Sequence, residues 1–252
     1  MAVKPQIAEK SPMTDNQAKE IKRLLEDSSK NAFDEYLKND PSIDSAQRII
    51  ERAGQFKQRL VALLQEFGTT ADTRVIADWQ KFYKDHFGLD VDFSKVGIPI
   101  RPKGNYRLLF IAKGMSMNVA FARCTELFST WKYTDDLDAK ITQNIRTASE
   151  NYAVWVLDEV EPDKTYRGNS TKQVDSTMEL GITVLERIIF EIKYFSETGK
   201  HLDVKGVTFC SGSRDSGGSV PLADWGDSEF RIGCYPLAHS GSGCGVRSAV
   251  SL

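Results

Sequence analysis

From Gly206 to Leu252 the chain has no lysine, glutamine, methionine or asparagine, and all nineteen of its lysines lie upstream. At the upstream density about four lysines would fall in a stretch of this length. Other absences bound the whole chain. No run approaches the roughly 18 consecutive apolar residues that a membrane span requires. The opening residues MAVKPQIAEKSPMTD have no apolar core and do not read as a secretory signal. The expected compartment is the cytoplasm by default, with surface display by a partner as the alternative. A formal net charge of −2 leaves no overall basic excess, so nucleic acid is not an expected partner. The four cysteines, Cys124, Cys210, Cys234 and Cys244, include no C-x-x-C pair, and neither a metal nor a cofactor is expected. Reduced thiols are the plain reading, while a Cys234–Cys244 bridge in an oxidising setting stays open.

What is present upstream is helical. Residues 1–13 are expected to be disordered. A first helix starts at Thr14 or Asp15 and ends at Asn39-Asp40-Pro41, with Ile21, Leu24, Leu25, Phe33, Tyr36 and Leu37 towards one side. A second runs from about Ser42 to Phe67, where Ile49, Ala53, Phe56, Leu60, Leu63 and Phe67 alternate spacings of four and three. That is the stripe of bundles and coiled coils. A third spans roughly Ala71 to Phe87, with Val75, Ile76, Trp79, Phe82, Tyr83 and His86 inward. Together they predict an antiparallel helical bundle over 14–96, a candidate for self-association or docking. Two prolines and two glycines between Gly97 and Gly104 predict a linker over 97–104, hence a second domain over 105–252.

The second domain reads as strand, helix, strand, helix and then several short strands, so the fold class is α+β. Tyr106–Ala112 and Tyr152–Leu157 are strand-length apolar runs, and Ser116 caps a helix carrying Met117, Ala120, Cys124, Leu127 and Phe128. A strong helix is predicted from about Thr177 to Thr198, stopped by Gly199, and Val207–Cys210 reads as a strand. Buried-type residues recur through the lysine-free tail: Phe209, Val220, Trp225, Phe230, Ile232, Val246 and Val250. Such residues are scarce in disordered segments, so the tail is expected to be ordered. In Glu229–Tyr235, period two sends Phe230 and Ile232 inwards and Arg231, Gly233 and Tyr235 outwards. This face is either an ordinary sheet edge or a binding surface.

Signals for catalysis are weaker. Asp215-Ser216-Gly217-Gly218 is similar to a serine-protease nucleophile loop, but such chemistry needs a histidine and a buried aspartate converging on the serine. Only His86 and His201 precede it, neither in a matching context. Gly241–Gly245 lacks the Lys-Ser/Thr and helix of a phosphate cradle, and Asp135, Asp136 and Asp138 lack the spacing of a calcium loop. No catalytic residue is assigned. A serine or cysteine hydrolase using the Ser216 loop or a tail cysteine is the enzymatic alternative, and an assembly protein driven by the N-terminal helices is the structural one.

The tail GVTFCSGSRDSGGSVP, with EFRIGCYP and the closing GVRSAVSL, resembles the variable (target) proteins of diversity-generating retroelements. The runs YRLLFIAKGMSMNVAFARC, YAVWVLDEVE and GITVLERIIFEIKYFSETGK fit the same domain, and the likeness covers about residues 104–252. It implies a C-type-lectin-like (formylglycine-generating-enzyme-like) domain with two helices and a small antiparallel sheet, following the helical bundle. It also implies a last segment rewritten by adenine-directed mutagenesis. Rewritten AAY codons never give Lys, Gln, Glu, Met or Trp, and after Pro221 only Trp225 and Glu229 belong to that set. Those two are then fixed framework, beside Phe230, Ile232, Val246, Arg247, Ser248 and Val250. The implied diversified, ligand-binding positions are Leu222, Ala223, Asp224, Gly226, Asp227, Arg231, Gly233, Cys234, Tyr235, Ala238, His239, Gly241, Ser242, Cys244 and Gly245. The implied function is binding of a protein or other macromolecule without catalysis. The Glu-Pro-Asn and Trp-Asn-Asp calcium pattern of sugar-binding lectins is absent, and Cys234 and Cys244 fall at positions read as variable, against a catalytic role.

Overall fold

A computed structural model describes residues 15–38, 42, 47–48, 50–68, 73–166, 168, 181–236, 239 and 241–251. The segment 1–13, expected to be disordered, lies outside them. The chain divides into two compact units, with the division between Leu60 and Val61.

The first unit is helical. Helix α1 (Asp15–Lys38) carries local ion pairs of Arg23 with Glu20 and Asp27, at the i,i+3 and i,i+4 spacings that stabilise an exposed helix. Its apolar residues Ile21, Leu24, Phe33 and Leu37 are exposed. Helix α2 (Ala53–Gly68) runs across the division, and its stripe residues Phe56 and Leu60 are also exposed. Ile49, the expected start of that stripe, is outside the described residues.

The expected bundle over 14–96 needs correction, because its third helix belongs to the second unit. Helix α3 (Thr73–Phe87) buries Trp79, Phe82 and Tyr83 among Phe93 and Phe110. Tyr83 Oη donates to Phe110 O at 2.8 Å and accepts from Ala112 N at 3.1 Å, finishing the hydrogen bonds at the end of a strand. An aromatic face with one hydroxyl suits a sheet with open backbone groups better than a helix bundle. The expected linker over 97–104 is likewise a strap within this unit. Ile98 is buried, Trp155 Nε1 donates to Pro99 O at 2.8 Å, and the Arg101 guanidinium sits over the Trp155 ring.

The rest of the second unit is mixed α and β. One sheet has the order β1 (Tyr106–Ile111), β4 (Tyr152–Leu157), β10 (Ala249–Val250), all antiparallel. A five-stranded sheet has the order β2 (Thr130–Lys132), β8 (Glu229–Tyr235), β7 (Val220–Gly226), β5 (Val207–Phe209), β9 (Cys244–Val246). Its two outer pairs are parallel and its inner pairs antiparallel. A small ladder joins β3 (Gln143–Asn144) to β6 (Ser213–Arg214). Ser116 caps α4 (Met117–Leu127) as expected, its Oγ accepting from Val119 N at 3.2 Å.

The central helix, α6 (Val184–Thr198), touches both larger sheets and is buried on every side from Val184 to Lys193. It follows the short α5 (Leu137–Lys140) in chain order. Its start is later than the predicted Thr177, and residues 171–180 lie outside the described ones. Thr183 and Glu186 form a capping box: Thr183 Oγ1 accepts from Glu186 N, and Glu186 Oε2 accepts from Thr183 N. Gly199 closes the helix in the left-handed region, with φ of 65°, which glycine adopts without strain.

Burial of the helix from Val184 to Lys193 brings charges inside. Arg187 and Arg247 share the carboxylate of Asp203, Arg187 also reaches Glu191, and all four are fully buried. Glu186 accepts from Arg146 Nε at 2.6 Å and from Tyr152 Oη at 3.0 Å. Burial opposes ionisation of Glu186, yet the Arg146 charge and these donors hold its carboxyl below the ordinary range. A depressed folded-state pKa gives stability that is present above the unfolded pKa, about 4.3, and lost as pH falls through the folded value. Glu186→Gln should therefore cost about 3 kcal/mol at pH 7, with the gap to the parent narrowing below about pH 4. Urea titrations across that range check it, and equal stability at pH 7 would refute it.

Candidate functional site

The tail forms a hairpin. Strands β7 and β8 pair from Val220 with Tyr235 to Gly226 with Glu229, and a two-residue turn, Asp227-Ser228, joins them. Both turn residues are left-handed, with φ of 55° and 64°, the geometry whose twist suits a two-residue hairpin. The inward set is Ala223, Trp225, Phe230 and Ile232, packed on the main core. Trp225 stacks on the His201 ring at 3.3 Å between centroids and meets Phe128 edge-on. Trp225, expected to be fixed, thus packs against the core.

The opposite face carries the candidate site, a pocket of about 390 Å³. Leu222, Asp224, Arg231, Gly233, Cys234 and Tyr235, all expected binding positions, come together around it. Arg231 is the hub. Its Nε and Nη2 donate to Asp224 at 3.2 and 2.5 Å, and its Nη1 donates to Asp227 at 2.5 Å. Arg231 keeps 31% of its side chain exposed and Tyr235 is 37% exposed, so both project outwards as the alternation predicted. Gly226 leaves room for the guanidinium: a Cβ there would lie 2.1 Å from Arg231 Nη2. Gly233 similarly seats Leu222, whose Cδ1 would be 3.0 Å from an added Cβ. Tyr235 stacks on His239 at 3.8 Å.

Sequence reasoning missed the opposite wall. Trp131 on β2 and Tyr133 just after it line the pocket, and β2 runs parallel to β8 with Trp131 level with Arg231. Trp131 is 48% exposed. The signal was available, since Thr-Trp-Lys-Tyr places two aromatic residues two apart on one face of a strand. Glu229, expected as framework, also lines the pocket.

Several expected binding positions need correction. Ala223 is 0% exposed on the inward face, and Cys244, 6% exposed, and Gly245 are buried on β9. Leu222 is buried too, although it borders the pocket. The outer face over β5, β7 and β9 is not open: Phe209, Val220, Leu222, Cys244 and Val246 form a second small core there. Alternation alone could not show that a nominally outward face is covered. Gly241 sits against the Cys244 sulfur, Ser242 is exposed, and Ala238 lies outside the described residues.

The groups considered for chemistry are engaged elsewhere. Ser216 Oγ accepts from Lys140 Nζ at 3.3 Å, and Asp215 accepts from the amides of Gly217 and Ser219. His86 Nδ1 accepts from Arg123, and His201 pairs with Glu191. All four cysteines are unbridged. Burial, with the Asp215 carboxylate nearby, pushes the Cys234 thiol up to about 11, and burial pushes Cys210 up to about 12. Asp136 caps α5, and Asp138 accepts from Met117 N and Asn118 N. Among the described residues no group of three or more His, Cys, Asp or Glu side chains is arranged to hold a metal ion.

The hairpin turn yields a direct check. A non-glycine residue in the left-handed region costs about 1–2 kcal/mol, partly offset by the entropy that glycine loses on folding. Ser228→Gly is expected to raise stability by about 0.5 kcal/mol in a denaturant titration; a loss of stability would show that the turn differs from the one described.

Comparison of the chain with protein-family models, curated proteins and solved structures returns no match.

Proposed function

We propose that this chain is a ligand-binding protein whose C-terminal domain is C-type-lectin-like and presents a face that a diversity-generating retroelement rewrites. The observation that carries the reading is the division of labour across one hairpin. Ala223, Trp225, Phe230 and Ile232 hold the backbone from below, while Asp224, Arg231 and Tyr235 line a pocket on the other side, with Asp227 of the turn paired to Arg231. Exchange of outward side chains leaves the main-chain pairing intact, because that pairing is made by backbone groups and the buried set. Cys234 and the positions beside it are read as binding groups, since raised thiol pKa values leave little thiolate for nucleophilic attack at neutral pH. The exposed apolar residues of α1 and α2 favour an assembly or docking role for the N-terminal helices alongside this binding function.

The reading has a stability test and a genomic one. Tyr235→Ala and Ser242→Ala are expected to change stability by less than about 0.5 kcal/mol. Ala223→Leu should cost about 1–3 kcal/mol, and Phe230→Ala about 3–5 kcal/mol. If the two outward substitutions unfold the domain as readily as the inward ones, the division of labour is wrong. The neighbouring DNA should encode a reverse transcriptase and a near-copy of the coding region for residues 220–252 that differs at adenines. A locus with neither would remove the retroelement from the account.

A further inference from the structure

The pocket's chemistry selects a class of ligand. We infer that it takes a cationic side chain, a guanidinium or ammonium group presented by a protein partner. The inference rests on the binding-face reading and adds to it the charge of what binds.

Electrostatics gives the first argument. Asp224, Asp227 and Glu229 bring three carboxylates to the pocket and its rim against the single guanidinium of Arg231. Arg231 is already committed, with Nε and Nη2 on Asp224 and Nη1 on Asp227. An anionic ligand would have to break these ion pairs and then face the carboxylates it had released. The Glu229 carboxylate makes no direct ion pair or hydrogen bond among the described residues and meets the Arg231 charge only at longer range, so the carboxylates here outnumber the one guanidinium they share.

The walls give the second. Trp131, Tyr133 and Tyr235 line the same space, and the Trp131 indole is about half exposed. Aromatic faces attract a desolvated cation through the ring quadrupole, with Trp the strongest, and Arg adds stacking.

The third argument is an unsatisfied oxygen. Tyr133 Oη is buried with its hydroxyl facing the Cys234 sulfur, and its oxygen accepts no hydrogen bond among the described residues. A buried hydroxyl oxygen that accepts nothing is uncommon, and a ligand N–H would give it something to accept. A purely apolar ligand would leave it unpaired and would desolvate Glu229 as well.

The test uses the full chain and three small probes: N-acetylarginine amide, N-acetylglutamate amide and N-acetylleucine amide. The Trp131 indole N–H resonance serves as the local reporter. The arginine amide is expected to shift it saturably and to bind at least about tenfold tighter than the glutamate amide. Glu229→Gln should weaken the arginine amide roughly fivefold while leaving the melting temperature unchanged, and raising salt from low to high should weaken it further. Trp131→Ala should weaken it comparably, read then by calorimetry. Glutamate amide binding as tightly as arginine amide, no saturable shift with arginine amide, or indifference to Glu229→Gln would each overturn the inference. Binding of the leucine or glutamate probe alone would sink the cation assignment and leave the binding face standing. Failure of the face itself is read separately, from the stabilities of the Tyr235 and Ser242 variants, where no ligand is involved.

Discussion

One buried carboxylate ties together the elements on which the candidate face depends. Asp203 Oδ2 accepts from Arg187 on α6, and its Oδ1 accepts from Arg247, between β9 and β10. Arg247 also donates to the carbonyls of Leu157, Glu159 and Val160, fixing the exit of β4. Asp203 makes two backbone bonds as well: its carbonyl accepts from Trp225 N on β7, and its amide donates to Val160 O. A left-handed φ of 55° at Asp203 lets side chain and main chain serve both directions at once. Arg187, Arg247, Asp203 and Glu191 balance two charges of each sign in a site without solvent exposure. Desolvating such ions costs several kcal/mol each, so the knot is poor evidence for extra stability. What it contributes is geometry: any other arrangement of helix, strands and hairpin would leave a charge buried and alone.

The hairpin inherits that constraint. Strand β7 is pinned at Trp225 by the Asp203 carbonyl and by the ring stack on His201, itself paired with Glu191 of the same network. Strand β8 follows through the ladder, with Phe230 under the Arg187 guanidinium. The outward residues carry none of this burden. The proposed exchange of side chains on a fixed main chain follows from that asymmetry, and so does its boundary. Exchange is open at Tyr235 and Ser242, and closed at Ala223 and Cys244, whose surroundings are filled.

Much of the fold was legible where one local signal decides the outcome. The apolar runs at Tyr106 and Tyr152, the Ser116 cap, the Gly199 stop and the alternation through Phe230 and Ile232 all carry their own physical reason. Misreadings arose where tertiary context decides. Trp79, Phe82 and Tyr83 show a helical spacing that fits a bundle and a sheet equally well, and only the Tyr83 hydroxyl hints at strand termini. Pro and Gly between 97 and 104 mark irregular backbone, which a buried strap uses as readily as a linker. The burial of Arg187 and Glu191 has no local signal in the sequence, because their partners, Asp203 and His201, lie beyond the helix. Leu222 and Cys244 read as exposed because nothing in a Gly-rich stretch announces a second small core. The site was legible in half: the β8 side followed from period two, while Trp131 came from a strand almost a hundred residues upstream.

The account stands on the stiffness of the hairpin main chain, and amide hydrogen exchange measures that most directly. The amides of β7 and β8 that bond within the five-stranded sheet should exchange only through global unfolding, as slowly as those of α6. Exchange in β7 and β8 several orders of magnitude faster than in α6, through local opening, would contradict the claim that a fixed backbone carries the face.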